Sequence, residues 1–221
     1  MPDVPVCLKI DFVSDVVCPW CVIGLHALEQ ALRTLDGTVT TELHFQPFEL
    51  NPHMPPEGED LAQHLIGKYG ISATQLAQNH AALRARGAAV GFAFDFDRCT
   101  RICNTLDAHR LLHWAGVQGR QLALQHALFA AYFGAGEDLA AHAVLARAAE
   151  AAGLNGTQAA ALLVSDRYAD AVRAAVRRHA ERGIGAVPTI IVNGRQLIAG
   201  AQPPEVFAQA LRQVAQASAS T

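Results

Sequence analysis

Residues 14–24 read SDVVCPWCVIG, with Cys18 and Cys21 three positions apart and Pro19 and Trp20 between them. Upstream, Leu8, Ile10 and Phe12 alternate with Lys9 and Asp11, the period of two that predicts a strand from Leu8 to Val16. Downstream, Cys21, Leu25, Leu28, Leu32 and Leu35 recur every three or four residues, which is one face of a helix. Cys18 therefore stands where a strand turns into a helix. Pro19 takes the first helical position, where its missing N–H costs nothing. That junction decides how the rest of the chain is read.

Working outward, GTVTTELHFQPFEL alternates again, with Val39, Thr41, Leu43 and Phe45 on one face, and completes a βαβ start. NPHMPPEGED is rich in proline and acid and marks a boundary. Beyond it an Ala-rich helical stretch lasts to about Arg182. Within that stretch SATQ at residues 72–75 resembles a capping box, and TLDAHRLLHWA spaces Leu106, Leu111 and Trp114 helically. GRQLALQHALFAAYF, EDLAAHAVLARAAEAAG and SDRYADAVRAAVRRHAERG read the same way. VPTIIVNGRQLIAG is two apolar runs around Asn193 and Gly194, a hairpin signal. AQPPEVFAQALRQVA follows as an amphipathic helix, and QASAST reads as a frayed tail. The chain thus divides into residues 1–58, 59–183 and 184–221: two halves of one small sheet around a helical insertion.

At 221 residues with 51% hydrophobic content, the sequence suits one folded unit with a substantial insertion. A formal charge of −3, with Lys and Arg scattered, leaves no electrostatic footprint for nucleic acid or an anionic membrane surface. MPDVPVCLKIDF lacks the basic start, apolar run and small-residue cleavage site of a secretory signal, and no segment approaches the ~20 apolar residues of a membrane span. The expectation is a cytoplasmic protein, where thiol reductants keep cysteines reduced. Its five cysteines are then catalytic, metal-binding or inert rather than structural disulfides.

A thiol reacts as its thiolate, and a helix N-terminus offers unpaired N–H groups and the positive end of a dipole to an anion. Cys18 is placed to receive both and is the candidate nucleophile. Cys21, one turn further in, is the candidate resolving thiol that attacks the mixed disulfide formed on Cys18. Pro19 and Trp20 bring no positive charge, so an intermediate redox potential is expected.

DVVCPWCVIG at the strand-to-helix turn, AVPTIIVNGRQLIAGAQP near the end and the helices between them resemble the thioredoxin-fold DsbA family. PFELNP, NTLDAHRLLHWA and GAQP resemble its cytoplasmic FrnE-like branch. The resemblance implies an α/β, thioredoxin-like fold with a large inserted all-helical domain. It implies a thiol:disulfide oxidoreductase or isomerase acting on disulfide-containing protein substrates, with glutathione or a thioredoxin-system reductant as partner and no added cofactor. It also implies a cis peptide bond before Pro188, facing the cysteines, with the backbone of Val187 pairing with an extended substrate.

One departure stands out. Phe12 occupies the position six before Cys18 where many thioredoxin-like proteins carry a buried acid. Asp15 is the nearest acid, either a proton relay or an exposed residue at a strand end. Two rivals share the architecture or the motif. Kappa-type glutathione transferases and hydroxychromene carboxylate isomerases typically carry serine where Cys18 stands and lack the resolving thiol. A non-catalytic module, chaperone-like or held by zinc on Cys18, Cys21, Cys99 and Cys103, would use no turnover.

In DRCTRICNT, Cys99 and Cys103 precede a helix that starts near Asn104. They are a second dithiol exchanging with Cys18 and Cys21 if the stretch is a loop, or unpaired helix thiols if it is helical. Cys7 reads as an inert strand residue. His109 and His113 are spaced like the histidines of HExxH, but Arg110 stands where the catalytic glutamate would be, so the histidines read as surface or core groups. Trp114 reads as core.

Overall fold

The computed structural model describes residues 5–219. Strand β1 (Val6–Ser14), helix α1 (Pro19–Arg33) and strand β2 (Val39–Pro47) form the βαβ start. β1 pairs in parallel with β2, Ile10 opposite Leu43 and Phe12 opposite Phe45. After the insertion, β5 (Thr189–Val192) and β6 (Gln196–Ala199) return as a hairpin, and β5 joins β1 antiparallel with Phe12 opposite Ile190. The sheet order is β2-β1-β5-β6. Asn193 and Gly194 turn the hairpin with φ of 51° and 70°, the left-handed backbone that this pair accepts at low cost.

β1 is shorter at its end than its alternation suggests. It leaves the ladder at Ser14, because the carbonyl of Asp15 accepts the N–H of Cys18 at 3.1 Å and closes a turn over Val16 and Val17. Leu8, Ile10 and Phe12 are fully buried on one face of β1. α1 and the last helix, α9 (Pro204–Ala219), pack together beside this sheet. Gly24 sits where α1 meets the Pro188 loop: a Cβ there would lie 2.9 Å from the proline ring, so only glycine allows this approach.

The insertion carries α2 (Leu61–Tyr69), α3 (Ala73–Ala89), α4 (Leu106–Val117), α5 (Gln121–Phe129), α6 (His142–Ala151), α7 (Gly156–Leu163) and α8 (Ala169–Glu181). Ser72 caps α3 with Gln75 in a reciprocal capping box, as SATQ predicts. The insertion is helical, with one addition: β3 (Glu59–Asp60) pairs antiparallel with β4 (Arg101–Ile102). Two residues are too few to show a period. Gly58, at φ +66°, sits against this ladder, and a Cβ there would lie 2.3 Å from the Ile102 carbonyl. A single π turn, Ala130–Gly134, extends α5.

α4, α5 and α8 pack on β2, and one buried cluster runs from Leu8 through Phe129 to Leu211 without a break. Trp114 is part of it, 5% exposed. The QASAST segment is helical through Ala219 rather than frayed: Ser218 Oγ donates to the Val214 carbonyl and accepts from Asn193 at 3.5 Å. Ser220 and Thr221, like residues 1–4 of the opening stretch, lie outside the described residues. Among the described residues no helix is long and apolar enough to cross a membrane.

Candidate active site

Cys18 is the N-cap of α1, extended at φ −95° and ψ 112°, with Pro19 directly after it and no side-chain cap of the helix end. Its carbonyl accepts the N–H of Cys21 at 3.0 Å. Cys18 thus stands at the N-terminal, positive end of the α1 dipole, a position that favours an anion. Sγ also lies 3.8 Å from the carbonyl of Val187, to which it donates. The Val187–Pro188 bond is cis, as the resemblance implies.

Cys21 is one turn inward and 0% exposed. Burial first, then the hydrogen bond and charge of Cys18, push its thiol well above the ordinary range, with a backbone hydrogen bond from Asp15 opposing. The pair is thus asymmetric. A mostly apolar groove of about 570 Å³ opens on Cys18 and Trp20, with Leu65, Leu83, Phe96 and Tyr132 among its walls, and Cys21 does not line it. Trp20 is 39% exposed, and the Arg86 guanidinium of α3 lies 5.2 Å from its ring centroid. Lys68 Nζ donates to the Leu50 carbonyl at 2.9 Å and to Asn51 Oδ1 at 2.7 Å, tying α2 to the loop after β2.

Asp15 is fully buried, so the exposed strand-end alternative is overturned. Its Oδ2 accepts the N–H of Leu50 at 2.7 Å, and its Oδ1 lies 3.4 Å from His109 Nε2. Phe12, in the position of the missing acid, is buried against Phe45 with ring centroids 5.6 Å apart.

The DRCTRIC stretch is a loop containing β4, not a helix, and α4 starts only at Leu106, because Asn104 Oδ1 takes the N–H of Leu106 ahead of the first turn. Cys99 and Cys103 are buried free thiols at 3% and 2% exposure. Burial pushes Cys99 up to about 11 and Cys103 up to about 12, and the charge of Asp15 adds to the rise at Cys103. Cys7 is a free thiol exposed on β1, a strand residue as its sequence reads. Among the described residues no three His, Cys, Asp or Glu side chains converge as metal ligands, so the four thiols do not assemble the zinc alternative.

The raised thiols fix a pH dependence. Above their ordinary value near 9.0 the unfolded chain ionises Cys99 and Cys103, while the folded chain keeps them neutral toward pH 11 and 12. The unfolded state then binds fewer protons, so stability falls as pH rises through that window, by roughly 1.4 kcal/mol per thiol per pH unit. Urea unfolding at about pH 8.5 and about pH 10.5 checks this: the loss is smaller in Cys103→Ala than in the parent. Equal losses would contradict it.

The residues that the sequence leaves out of the site are His109, Tyr132 and Glu49. Tyr132 is delivered by the π turn, donates to the Arg101 carbonyl at 2.8 Å and hydrogen-bonds Cys99. His109 reaches Asp15 from α4, and Glu49 follows β2. The HRLLH spacing holds a signal for His109 alone, as a buried i, i+4 position.

The family model of the DSBA-like thioredoxin domain matches residues 9–212. The chain belongs to the DSBA-like thioredoxin domain family. Within that frame it is 34% identical to a structure described as a probable DsbA oxidoreductase from Streptomyces coelicolor, covering 93% of this chain and 89% of that one with a TM-score of 0.87. The Bacillus subtilis protein YwbO is 27% identical over 203 residues, 90% of this chain and 92% of its own. A cytosolic disulfide reductase DsbM from Pseudomonas aeruginosa, solved with GSH, shares the fold at 18% identity and a TM-score of 0.64, over 94% of this chain and 99% of that one. The DSBA-like fold thus accounts for both the sheet and the helical insertion.

Proposed function

We propose that this chain is a cytoplasmic thiol:disulfide oxidoreductase or isomerase of the FrnE-like kind, acting on protein disulfides through Cys18 and Cys21. The observation that carries it is the asymmetry of the pair: Cys18 caps a helix and faces the groove, whereas Cys21 is enclosed behind it. The Cys18 thiolate attacks one sulfur of the substrate disulfide, and the other sulfur leaves and takes a proton from water. Cys21 then gives up its proton and attacks Cys18 Sγ, releasing the second substrate thiolate and leaving a Cys18–Cys21 disulfide. Two electrons pass to the substrate. Two equivalents of glutathione, or a thioredoxin-type dithiol, return them.

In this reading Pro19 and Trp20 shape the turn, and Val187 and Pro188 form the wall along which an extended substrate strand lies. Cys99 and Cys103, neutral and enclosed, act as a second dithiol only when the β3–β4 loop opens. The division at residues 58 and 183 separates the part that carries the chemistry from the part that walls the groove. Similarity to the probable DsbA oxidoreductase of Streptomyces coelicolor and to the cytosolic disulfide reductase solved with GSH supports the reading.

Insulin reduction by glutathione, followed as precipitation of the freed chains, tests it. Acceleration at substoichiometric protein is expected. Failure to accelerate it, together with glutathione-dependent isomerisation of a hydroxychromene carboxylate, would place the chain with the isomerases instead.

A further inference from the structure

The groove over Cys18 carries a charge opposite to that of the chain around it. The sequence holds 20 acids against 17 Lys and Arg, yet no Asp or Glu lines the groove. The basic side chains that do are His64, Lys68 and His80. His64 is offset by Glu59, whose Oε2 lies 2.7 Å from its Nδ1. His80 stacks on Phe96 with centroids 4.2 Å apart, and burial, then the charge of Arg84, holds its imidazole below the ordinary range, so it brings no charge at neutral pH. Lys68 is left. Its Nζ donates to two neutral oxygens, those of the Leu50 carbonyl and Asn51 Oδ1, and among the described residues no carboxylate pairs with it.

α3 adds a second unpaired cation. Two arginines of this helix each lie over an aromatic ring. Arg84 is 5.6 Å from the Phe96 centroid and pairs with Asp97 at 2.9 Å. Arg86 is 5.2 Å from the Trp20 centroid, and among the described residues no carboxylate pairs with it. The same helix thus neutralises one stacked guanidinium and leaves the other free. Arg86 is exposed and belongs to the last turn of α3, where the helix end favours a cation. Trp20 follows Cys18 by two positions and lines the groove with it. The cation–π contact therefore holds a free positive charge at the rim of the groove, beside the reacting thiol's own turn.

We propose that Arg86 is a specificity-determining residue that selects polypeptide disulfides whose cysteine is flanked by acidic side chains. The inference rests on the oxidoreductase reading above and names its substrate class. Apolar side chains of the substrate enter the groove while its carboxylates meet Arg86 at the rim, and Lys68 adds to the same field. The exchange itself is unchanged: Cys18 Sγ bonds to one substrate sulfur, the other leaves as a thiolate, and Arg86 takes no part in either event. Because guanidinium and carboxylate both stay in contact with water, the selection acts on the rate of capture and is screened by salt. Basic flanks are repelled by the same charges.

The test uses the reduced full chain carrying Cys7→Ser, which removes the exposed thiol. Three peptides, alike except that the cysteine is flanked on both sides by Glu, Gln or Lys, are supplied as mixed disulfides with thionitrobenzoate. Attack by Cys18 on the peptide sulfur releases thionitrobenzoate, read by stopped-flow absorbance. Each rate is divided by that of free mercaptoethanol with the same peptide, which removes differences in intrinsic reactivity. The Glu peptide is expected to react about tenfold faster than the Lys peptide at low salt, with the Gln peptide between them, and the ratio to shrink severalfold at about 0.5 M salt. Arg86→Gln lowers the low-salt ratio about threefold or more, whereas Arg86→Lys keeps most of it. Equal normalised rates for the Glu and Lys peptides would overturn the selection and leave the oxidoreductase reading standing. So would a ratio unmoved in Arg86→Gln, the result of a side chain that only packs on Trp20 and slows all three peptides alike. Release of no thionitrobenzoate from any peptide would overturn both.

Discussion

Cys18→Ser is expected to lower disulfide reduction by about 10³-fold or more, while Cys21→Ser retains the first attack and accumulates a covalent protein–substrate adduct. The reason is geometric. Cys18 is 4% exposed at the helix cap, and serine is both smaller and a preferred N-cap residue, so the fold should not suffer. What is lost is the Cys18 sulfur that faces the groove, since a hydroxyl forms no useful anion at neutral pH. Without Cys21 nothing enclosed behind Cys18 can displace the substrate. Intact-mass measurement after exposure to a peptide disulfide checks both: no adduct in Cys18→Ser, a stable one mapped to Cys18 in Cys21→Ser. Insulin reduction persisting in Cys18→Ser, or an adduct mapped to Cys99 or Cys103, would contradict the assignment.

Arg110→Ala should destabilise the protein by about 3–5 kcal/mol, the largest stability effect expected of a polar substitution here. Arg110 is 4% exposed. Nε donates to the Arg167 carbonyl at 2.8 Å, Nη1 to Asp107 Oδ1 at 2.7 Å, and Nη2 to the Leu162 carbonyl at 2.8 Å and to that of Ser165. One side chain therefore satisfies three carbonyls of the segment from α7 to α8 and fixes it on α4. Removing it takes this donor from the Ser165 and Arg167 carbonyls, while the Leu162 carbonyl keeps the N–H and Oγ of Ser165, at 3.1 and 2.7 Å, and Asp107 keeps His142 at 3.0 Å. Arg110→Lys should recover only part of the loss, because an ammonium lacks the planar fork. Urea midpoints at neutral pH check this, and a shift equivalent to less than about 1 kcal/mol would contradict it.

Arg110 also shows where sequence reading stops. In HRLLH it registers as the wrong residue for a zinc hydrolase, and its three carbonyl partners lie more than fifty positions away, where no local pattern can point. Local signals served well where physics is local: the strand-to-helix junction at Cys18, the Asn193–Gly194 turn and the Ser72 capping box each need only neighbours. The β3–β4 ladder is too short for a period, and the π turn Ala130–Gly134 sets Phe133 against Phe94 and Phe96, contacts that no local pattern announces. Asp15 was ambiguous for the same reason. Its burial depends on Leu50 and on α4, a helix more than ninety residues downstream. Cys99 and Cys103 could be read as helix or loop because Thr100, which sets the loop by accepting the N–H of Leu61, does so across the insertion.

The central claim is that Cys18 and Cys21 form one reversible dithiol. Its most direct test is mass-tag alkylation of the protein poised across glutathione buffers of increasing oxidising strength, with peptide mapping of each disulfide. Cys18 and Cys21 should lose reactivity together at an intermediate potential, with the disulfide mapped between them and regained on returning to excess glutathione. Thiols that stay shielded at every potential until a chelator is added, or Cys18 oxidising without Cys21, would contradict it.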